Sequence, residues 1–594
     1  MTESLQDPQR REIFGHPIGL FVLFFTEMWE RFSYYGMRGI LTLYIVTSAS
    51  APDPGLGWSN KDALWLYGWY TMLVYVASIP GGWVADKFLG QKRTVLIGGL
   101  LLCVGHGVLA IPQDWAFFTG LILIIIGVGG LKPNISTMVG GLYPAGDPRR
   151  DSGFTIFYIG INIGAFLAGI SVGLVAYYYG WHYGFGLAGI GMLLGQAVFI
   201  WGHKYLKGVG EFSGGANVSE EERQAMKRPL TKIEKDRVIV LLISFLIVIV
   251  FWGAFEQAGG LMNLYTDIKV DRYIGLSWLE EIPAAVFQSL NSLYIIIFGT
   301  LVGGFWLWWK KKGRESSSLF KMALGTIIMG AGFIFMMFAS KEASSESFGK
   351  AALVWIFLAY LFHTIGELCA SPVALSFITK LAPLKYASIM MGIFFAASGF
   401  GNKLAGNIGE ASQLTPYQGD VNYSKEQLLP YMSEVEMTIK DDQNKIVTIS
   451  DFPINQDKAF EIKGAVYEQG GEIHYKEYET GKLLDGAFSL SPESNQELLA
   501  YLSENNITED NPYHARIYFE KDEDARQNIE SIGDGKNYQI SFVLEEEQNA
   551  LEYKTFMWLV IFTVSFGLLV IIFLKQLKKL THGAEERELG VGDN

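Results

Sequence analysis

Long apolar runs recur along this chain, and that recurrence limits its fold more than any other feature. Segments such as GLFVLFFTEMWERFSYYGMRGILTLYIV and RVIVLLISFLIVIVFWGAF can each cross a hydrocarbon layer of roughly 30 Å. About twelve such runs can be read, at 19–48, 62–85, 94–112, 115–140, 153–178, 183–203, 238–266, 283–309, 319–340, 351–379, 386–409 and 555–574. Half of the residues are hydrophobic and only 18% are charged, proportions of a membrane protein rather than a soluble enzyme. The polar start MTESLQDPQRRE has no small-residue cleavage site after it, so the first run is read as an uncleaved span. Cys103 and Cys369 both fall in apolar runs, which leaves no disulfide framework for an exterior domain.

Lys and Arg favour cytoplasmic connections. Alternate connections here carry Lys87, Lys92 and Arg93, then Arg149 and Arg150, then the stretch 204–237, then Lys310 to Lys312 with Arg314, then Lys380 and Lys385. This predicts a multi-pass plasma (inner) membrane protein with both termini cytoplasmic. The expected fold class is all-α, with twelve transmembrane helices in two six-helix bundles. The expected boundaries are an N-terminal bundle 1–203, a cytoplasmic linker 204–237, helices seven to eleven over 238–409, an insert 410–553, and helix twelve with a tail over 554–594.

The net charge of −13 is unevenly placed. Residues 410–552 hold about 30 acidic and 11 basic side chains, so the remainder of the chain is slightly basic. The insert also reads KIVTISDF, EIHYKEYETG, ARIYFEKDED and GKNYQISFVLE, alternating with period two between glycine turns. A small β-rich extracytoplasmic domain is expected there, one that could bind a partner of its own. No nucleic-acid partner is indicated.

Charges inside the apolar runs carry the functional signal. The first run contains Glu27, Glu30, Arg31 and Arg38. A central charge in a lipid-facing helix costs about 2.5 to 3.5 kcal/mol, so four of them require partners and an aqueous path. At 100° per residue Glu27, Arg31, Tyr35 and Arg38 form one stripe, with Glu30 beside it. An ion pair between Glu27 and Arg31 would leave Arg38 and Glu30 unexplained. Lys132, beside Pro133, needs a carboxylate, for which Glu27 or Glu30 is the expected partner. The second half supplies Glu256 and Glu367. A cavity positive on one side and negative on the other suits a zwitterion with separated ends, such as a dipeptide. His106 and His363 are read as packed side chains.

The string EMWERFSYYGMR, residues 27–38, resembles the ExxERFxYYG signature of the proton-dependent oligopeptide transporters, a branch of the major facilitator superfamily. FYIGINIGA, FWGAFEQ, FQSLN, GELCASP and the loop GGWVADKFLGQKR are similar to further motifs of that family, in the same order. The resemblance implies proton coupling through Glu27, Glu30, Arg31 and Lys132. It implies peptide contacts from Arg31, Tyr35, Arg38, Tyr75, Lys132, Asn162, Asn291 and Glu367, to which the residue reading adds Glu256. Asp86 matches a gating acid of the loop. The sequence departs from the family pattern at Phe394, where many members have Trp, and at Ser292, where Pro is common.

The expected function is proton-coupled import of di- and tripeptides by alternating access, by a monomer with no cofactor other than the coupling proton. The alternatives are a proton-coupled carrier of another small solute, such as nitrate or peptide-like compounds, and a receptor or adhesion protein acting through the insert. An enzyme is not expected, because HExxH and the phosphate loop GxxxxGK[ST] are both missing.

Overall fold

The computed structural model describes residues 12–47, 53–144, 147, 149–212, 229–383, 386–422, 437–440, 446–449, 460–478, 488–520 and 537–584. The first eleven residues, 213–228 of the basic linker, Lys385 and parts of the insert lie outside the described residues.

The first half consists of α1 (Ile18–Val46), α2 (Asn60–Val76), α3 (Ser78–Val84), α4 (Gln91–Leu109), α5 (Asp114–Gly141), α6 (Arg149–Tyr179) and α7 (Trp181–Gly202). The second half holds α8 (Lys232–Phe255), α9 (Leu261–Lys269), α10 (Ser289–Lys311), α11 (Ser318–Ala343), α12 (Leu353–Leu381) and α13 (Ala387–Ala411). After a sheet come α15 (Glu545–Ile572) and the short α16 (Leu574–Thr581), with α14 (Pro492–Glu504) packed on the sheet. In a hydrocarbon layer a helix satisfies its own backbone, which is why apolar segments take this form.

Among the described residues nine helical segments are long and apolar enough to cross a membrane. Three further helices fall short for different reasons. The four charges of α1 lower its apolarity, α2 has only 17 residues before it bends into α3, and α13 is diluted by Gly, Ser and Asn. Local signals place several ends. Ser59 caps α2 by accepting from the Asp62 N–H, and Thr231 forms a capping box with Glu234 at the start of α8. Pro133 lies within α5, where the Asn134 side chain donates to the Gly130 carbonyl at 2.7 Å.

The six strands of the sheet between α13 and α15 are β1 (Tyr417–Asn422), β2 (Phe460–Gln469), β3 (Glu472–Glu477), β4 (Phe488–Leu490), β5 (Tyr513–Glu520) and β6 (Asn537–Phe542). They form one antiparallel sheet in the order β3-β2-β5-β6-β1-β4. Its core holds Val466, Tyr475, Ala515 and Phe542 beneath Leu498 and Leu502 of α14. A separate two-stranded ribbon pairs Met437–Lys440 with Ile446–Ile449.

Two boundaries differ from the sequence reading. α15 begins at Glu545, ten residues before the expected start of the last run at 555, so the expected division at 553/554 falls inside a helix. Acidic residues at a helix N-terminus are favoured by its dipole, so Glu545, Glu546 and Glu547 extend the helix although they are not apolar. The seventh run breaks into α8 and α9 around a 3₁₀ turn at Glu256–Ala258.

The sheet is tied to the second half. Lys269 of α9 pairs with Glu545, Arg516 of β5 lies 3.4 Å from the same carboxylate, and His514 bridges Glu546 and Ser347. Hydrogen bonds between the two helical halves gather on the sheet side. Asn60 donates to Gln413 at 3.2 Å, Lys61 to Thr415 at 3.3 Å, Thr42 to the Gly259 carbonyl at 3.3 Å, and Asn263 to the Gly39 carbonyl at 3.0 Å.

Close backbone approach makes that seam. A Cβ on Gly406 of α13 would sit 2.5 Å from the Gly68 Cα of α2. Gly406→Ala is therefore expected to push the two helices apart at a cost of ~1–3 kcal/mol and to lower the thermal unfolding midpoint of the purified protein. An unchanged midpoint would show that the seam yields freely.

Candidate functional site

The α1 stripe faces the interior. Glu27, Glu30, Arg31 and Arg38 are all buried, and Glu30 has no exposed surface at all. Arg31 holds both acids of its own helix, with Nε 2.7 Å from Glu27 and 3.0 Å from Glu30. The second Glu27 oxygen and both Glu30 oxygens accept no hydrogen bond. Glu30 is thus held by charge alone, while Glu27 is held by charge and a hydrogen bond.

Lys132 was expected to take one of these carboxylates, but it does not. Arg31 reaches both from one or fewer turns away, and Lys132 instead lies 3.6 Å above the ring of Tyr75 in α2. It remains within electrostatic reach of Glu27, Glu30 and Arg31. Tyr35 lies between, within reach of Arg31 and Arg38 on its own helix and of Glu256 and Glu367 across the gap.

In the second half, Glu367 of α12 accepts from the Asn291 amide of α10 at 2.7 Å, and the same amide donates to Thr364 at 3.2 Å. Asn162 of α6 is buried and donates to the Tyr158 carbonyl at 2.9 Å. Arg31, paired with Glu27 and Glu30, and Lys132 therefore stand on one half and the Glu367 carboxylate on the other.

Glu256 does not stand free beside Glu367. The 3₁₀ turn aims its carboxylate at α1, where Arg38 Nη1 lies 3.0 Å from both oxygens. Tyr67 of α2 donates to it at 3.0 Å, and Arg38 also reaches Gln288 at 3.4 Å. Arg38 and Glu256 together bridge the halves instead of presenting two open ligands. Asp86 lies apart from all of this, exposed on the turn Ala85–Leu89, and joins none of the ion pairs found among the described residues.

The sequence reading missed Tyr67, Gln288 and Thr364. Gln288 sits inside the noted string FQSLN, so its neighbourhood was visible but its partner was not. Tyr67 and Thr364 carry no local mark, since a tyrosine or threonine in an apolar run is ordinary.

The chain as a whole is similar to known proteins. The profile described as the POT family matches residues 92–218 and 213–421. The chain is 35% identical over 468 residues to the peptide transporter YePEPT of Yersinia enterocolitica, covering 69% of this chain and 90% of the relative. It is 33% identical over 443 residues to the di-/tripeptide transporter of Lactococcus lactis subsp. cremoris, covering 65% and 88%. A crystal structure of a peptide transporter POT in complex with sulfate superposes with a TM-score of 0.62 at 34% identity, over 69% of this chain and 92% of the other. A POT family transporter in complex with a thioalcohol-conjugated peptide gives 0.62 at 30% identity, over 68% and 93%. The chain belongs to the POT family.

Proposed function

We propose that the protein is a symporter that imports di- and tripeptides with protons, by alternating access around the site between its two halves. Twelve transmembrane helices form the two bundles, both termini are cytoplasmic, and the sheet lies outside, joined to the bundle that ends in α15. The observation that carries this reading is that Arg31 and Lys132 stand on one half and Glu367 on the other, with Tyr35 within reach of both Arg31 and Glu367 and Tyr75 against Lys132. Relatives named for peptide and di-/tripeptide transport support the choice of cargo.

The residues divide the work by charge. Lys132, which rests on the Tyr75 ring and forms no ion pair among the described residues, receives the peptide carboxylate, and Arg31 joins when it is released. Glu367, oriented by Asn291, receives the peptide ammonium. Glu27 and Glu30 compete with the peptide carboxylate for Arg31. A proton on Glu30 ends that competition, so proton and peptide favour the same state. Arg38 and Glu256 close the exterior side.

Uptake of a labelled dipeptide into proteoliposomes under an imposed pH gradient tests the reading. Accumulation that unlabelled dipeptides compete away, and nitrate does not, is the expected result. Competition by nitrate alone would reassign the cargo.

The sheet is proposed as an accessory to transport. Replacing residues 417–542 with a short flexible link is expected to leave the dipeptide uptake rate within about twofold, since a domain with its own core can be removed between close ends. Extending the deletion through Gln548 should abolish folded protein. Gln548 donates to Ser412 at 3.0 Å and to Glu552 at 2.9 Å, and it accepts from the Leu414 N–H at 3.0 Å. Loss of uptake in the shorter deletion, with protein still folded, would give the sheet a part in the cycle.

A further inference from the structure

One charge within the helices belongs to none of these groups. Lys403 lies in α13, eight residues before its end, so its backbone sits about 12 Å along the helix from that end. Its ammonium nitrogen is buried and donates to no hydrogen-bond acceptor, and no carboxylate forms an ion pair with it among the described residues. What it meets instead is aromatic. Nζ lies 4.7 Å from the ring centroid of Trp69 and 5.6 Å from that of Trp65, both on α2 in the opposite half. The two indoles are one helical turn apart, and each keeps about two fifths of its surface exposed on the outer face of the bundle.

The surrounding contacts make this a clamp rather than a chance neighbour. Gly68, between the two tryptophans in sequence, has no side chain to hold α13 away, and a Cβ there would sit 3.5 Å from Lys403 Cδ and 2.8 Å from the Gly406 Cα. Asn402, next to Lys403, donates across the same seam to the Thr71 carbonyl at 3.4 Å. The indole faces reach the ammonium only while α2 and α13 are in contact.

We propose that Lys403, Trp65 and Trp69 form a cation–π clamp between the two halves that favours the exterior-closed state and releases when the halves part on that side. The proposal rests on the alternating-access reading. Removing the Trp69 indole takes away stabilisation that exists only when the seam is shut, and leaves the ammonium there with only the more distant ring of Trp65. Removing the ammonium makes the indole matter less. The signature is therefore non-additivity between Lys403 and Trp69, which a tryptophan acting only as packing would not produce.

The test uses full-length protein in lipid nanodiscs with Cys103 and Cys369 replaced, and paired spin labels at Pro112→Cys and Glu346→Cys, exposed positions on the sheet side of opposite halves. Trp69→Leu is expected to raise the population at the longer distance about tenfold. In a Lys403→Met background the same Trp69→Leu change is expected to move that population less than about twofold. Equal shifts in both backgrounds overturn the clamp. Glu256→Gln, which breaks the Arg38 pair, reports separately on whether the exterior side opens at all. If it opens while the clamp variants act additively, the clamp alone fails. If no variant ever lengthens the distance, alternating access fails and the clamp with it.

Discussion

Glu30→Gln is expected to abolish gradient-driven accumulation of dipeptide while leaving exchange of labelled for unlabelled dipeptide largely intact. Glu30 is wholly buried, its carboxylate is held by charge alone, from Arg31 at 3.0 Å and from Lys132 farther off, and neither oxygen accepts a hydrogen bond. Glutamine is nearly the same size and resembles the protonated acid, so the site keeps its shape but loses the ability to exchange a proton. A potential of about 100 mV contributes roughly 2.3 kcal/mol per proton and one unit of pH about 1.4, together a several-hundred-fold accumulation for one proton per neutral peptide. The variant should fall to about equal concentrations on both sides, because nothing then couples the gradient to the cargo. Proteoliposome uptake with and without the gradient measures both quantities. Accumulation equal to that of the wild type would move proton coupling away from Glu30, and Glu27, which also receives a hydrogen bond from Arg31, would be the next residue to change.

The second large effect concerns the bridge between the halves. Arg38 touches both oxygens of Glu256, and both side chains are buried. Removing one member of such a pair strands the other charge, at about 3–5 kcal/mol. That penalty applies mainly to the closed arrangement, where water is excluded. Glu256→Gln is thus expected to disfavour exterior closure by on the order of a hundredfold or more, and to slow net uptake at least tenfold. Changing both residues, Arg38→Met with Glu256→Met, removes the stranded charge and should restore more of the closed population than either single change. The four corners of that cycle, measured as uptake rate and as inter-half distance, give the coupling directly. Additive effects would mean that the two side chains do not act as a bridge.

The charged stripe of α1 could be read from spacing alone, because helical periodicity is a local rule and Glu27, Arg31, Tyr35 and Arg38 obey it. The family could be recognised for a similar reason, since its motifs are short contiguous strings. Pairing could not be read in this way. Lys132 was assigned a carboxylate, yet Arg31 lies on the same helix as both acids and holds them, which leaves the lysine to an aromatic ring. Glu256 was assigned to the cargo, yet a 3₁₀ turn that no residue pattern announces directs it to Arg38. The start of α15 was misplaced because hydropathy counts Glu545, Glu546 and Glu547 as insert, whereas a helix N-terminus accepts acidic residues readily.

The sequence by itself determined that long apolar segments dominate the chain, that α1 has one polar face, and that further carboxylates lie in the second half. Each of these depends on residues within a few turns of one another. The tertiary structure alone decided which charges meet. Arg38 and Glu256 are 218 positions apart, and Lys403 lies far along the chain from the tryptophans it touches. Such contacts depend on how closely helices approach and how they are rotated. Those quantities are set by glycines such as Gly68 and Gly406 at the seam and by a break in one helix, and neither hydropathy nor period carries them.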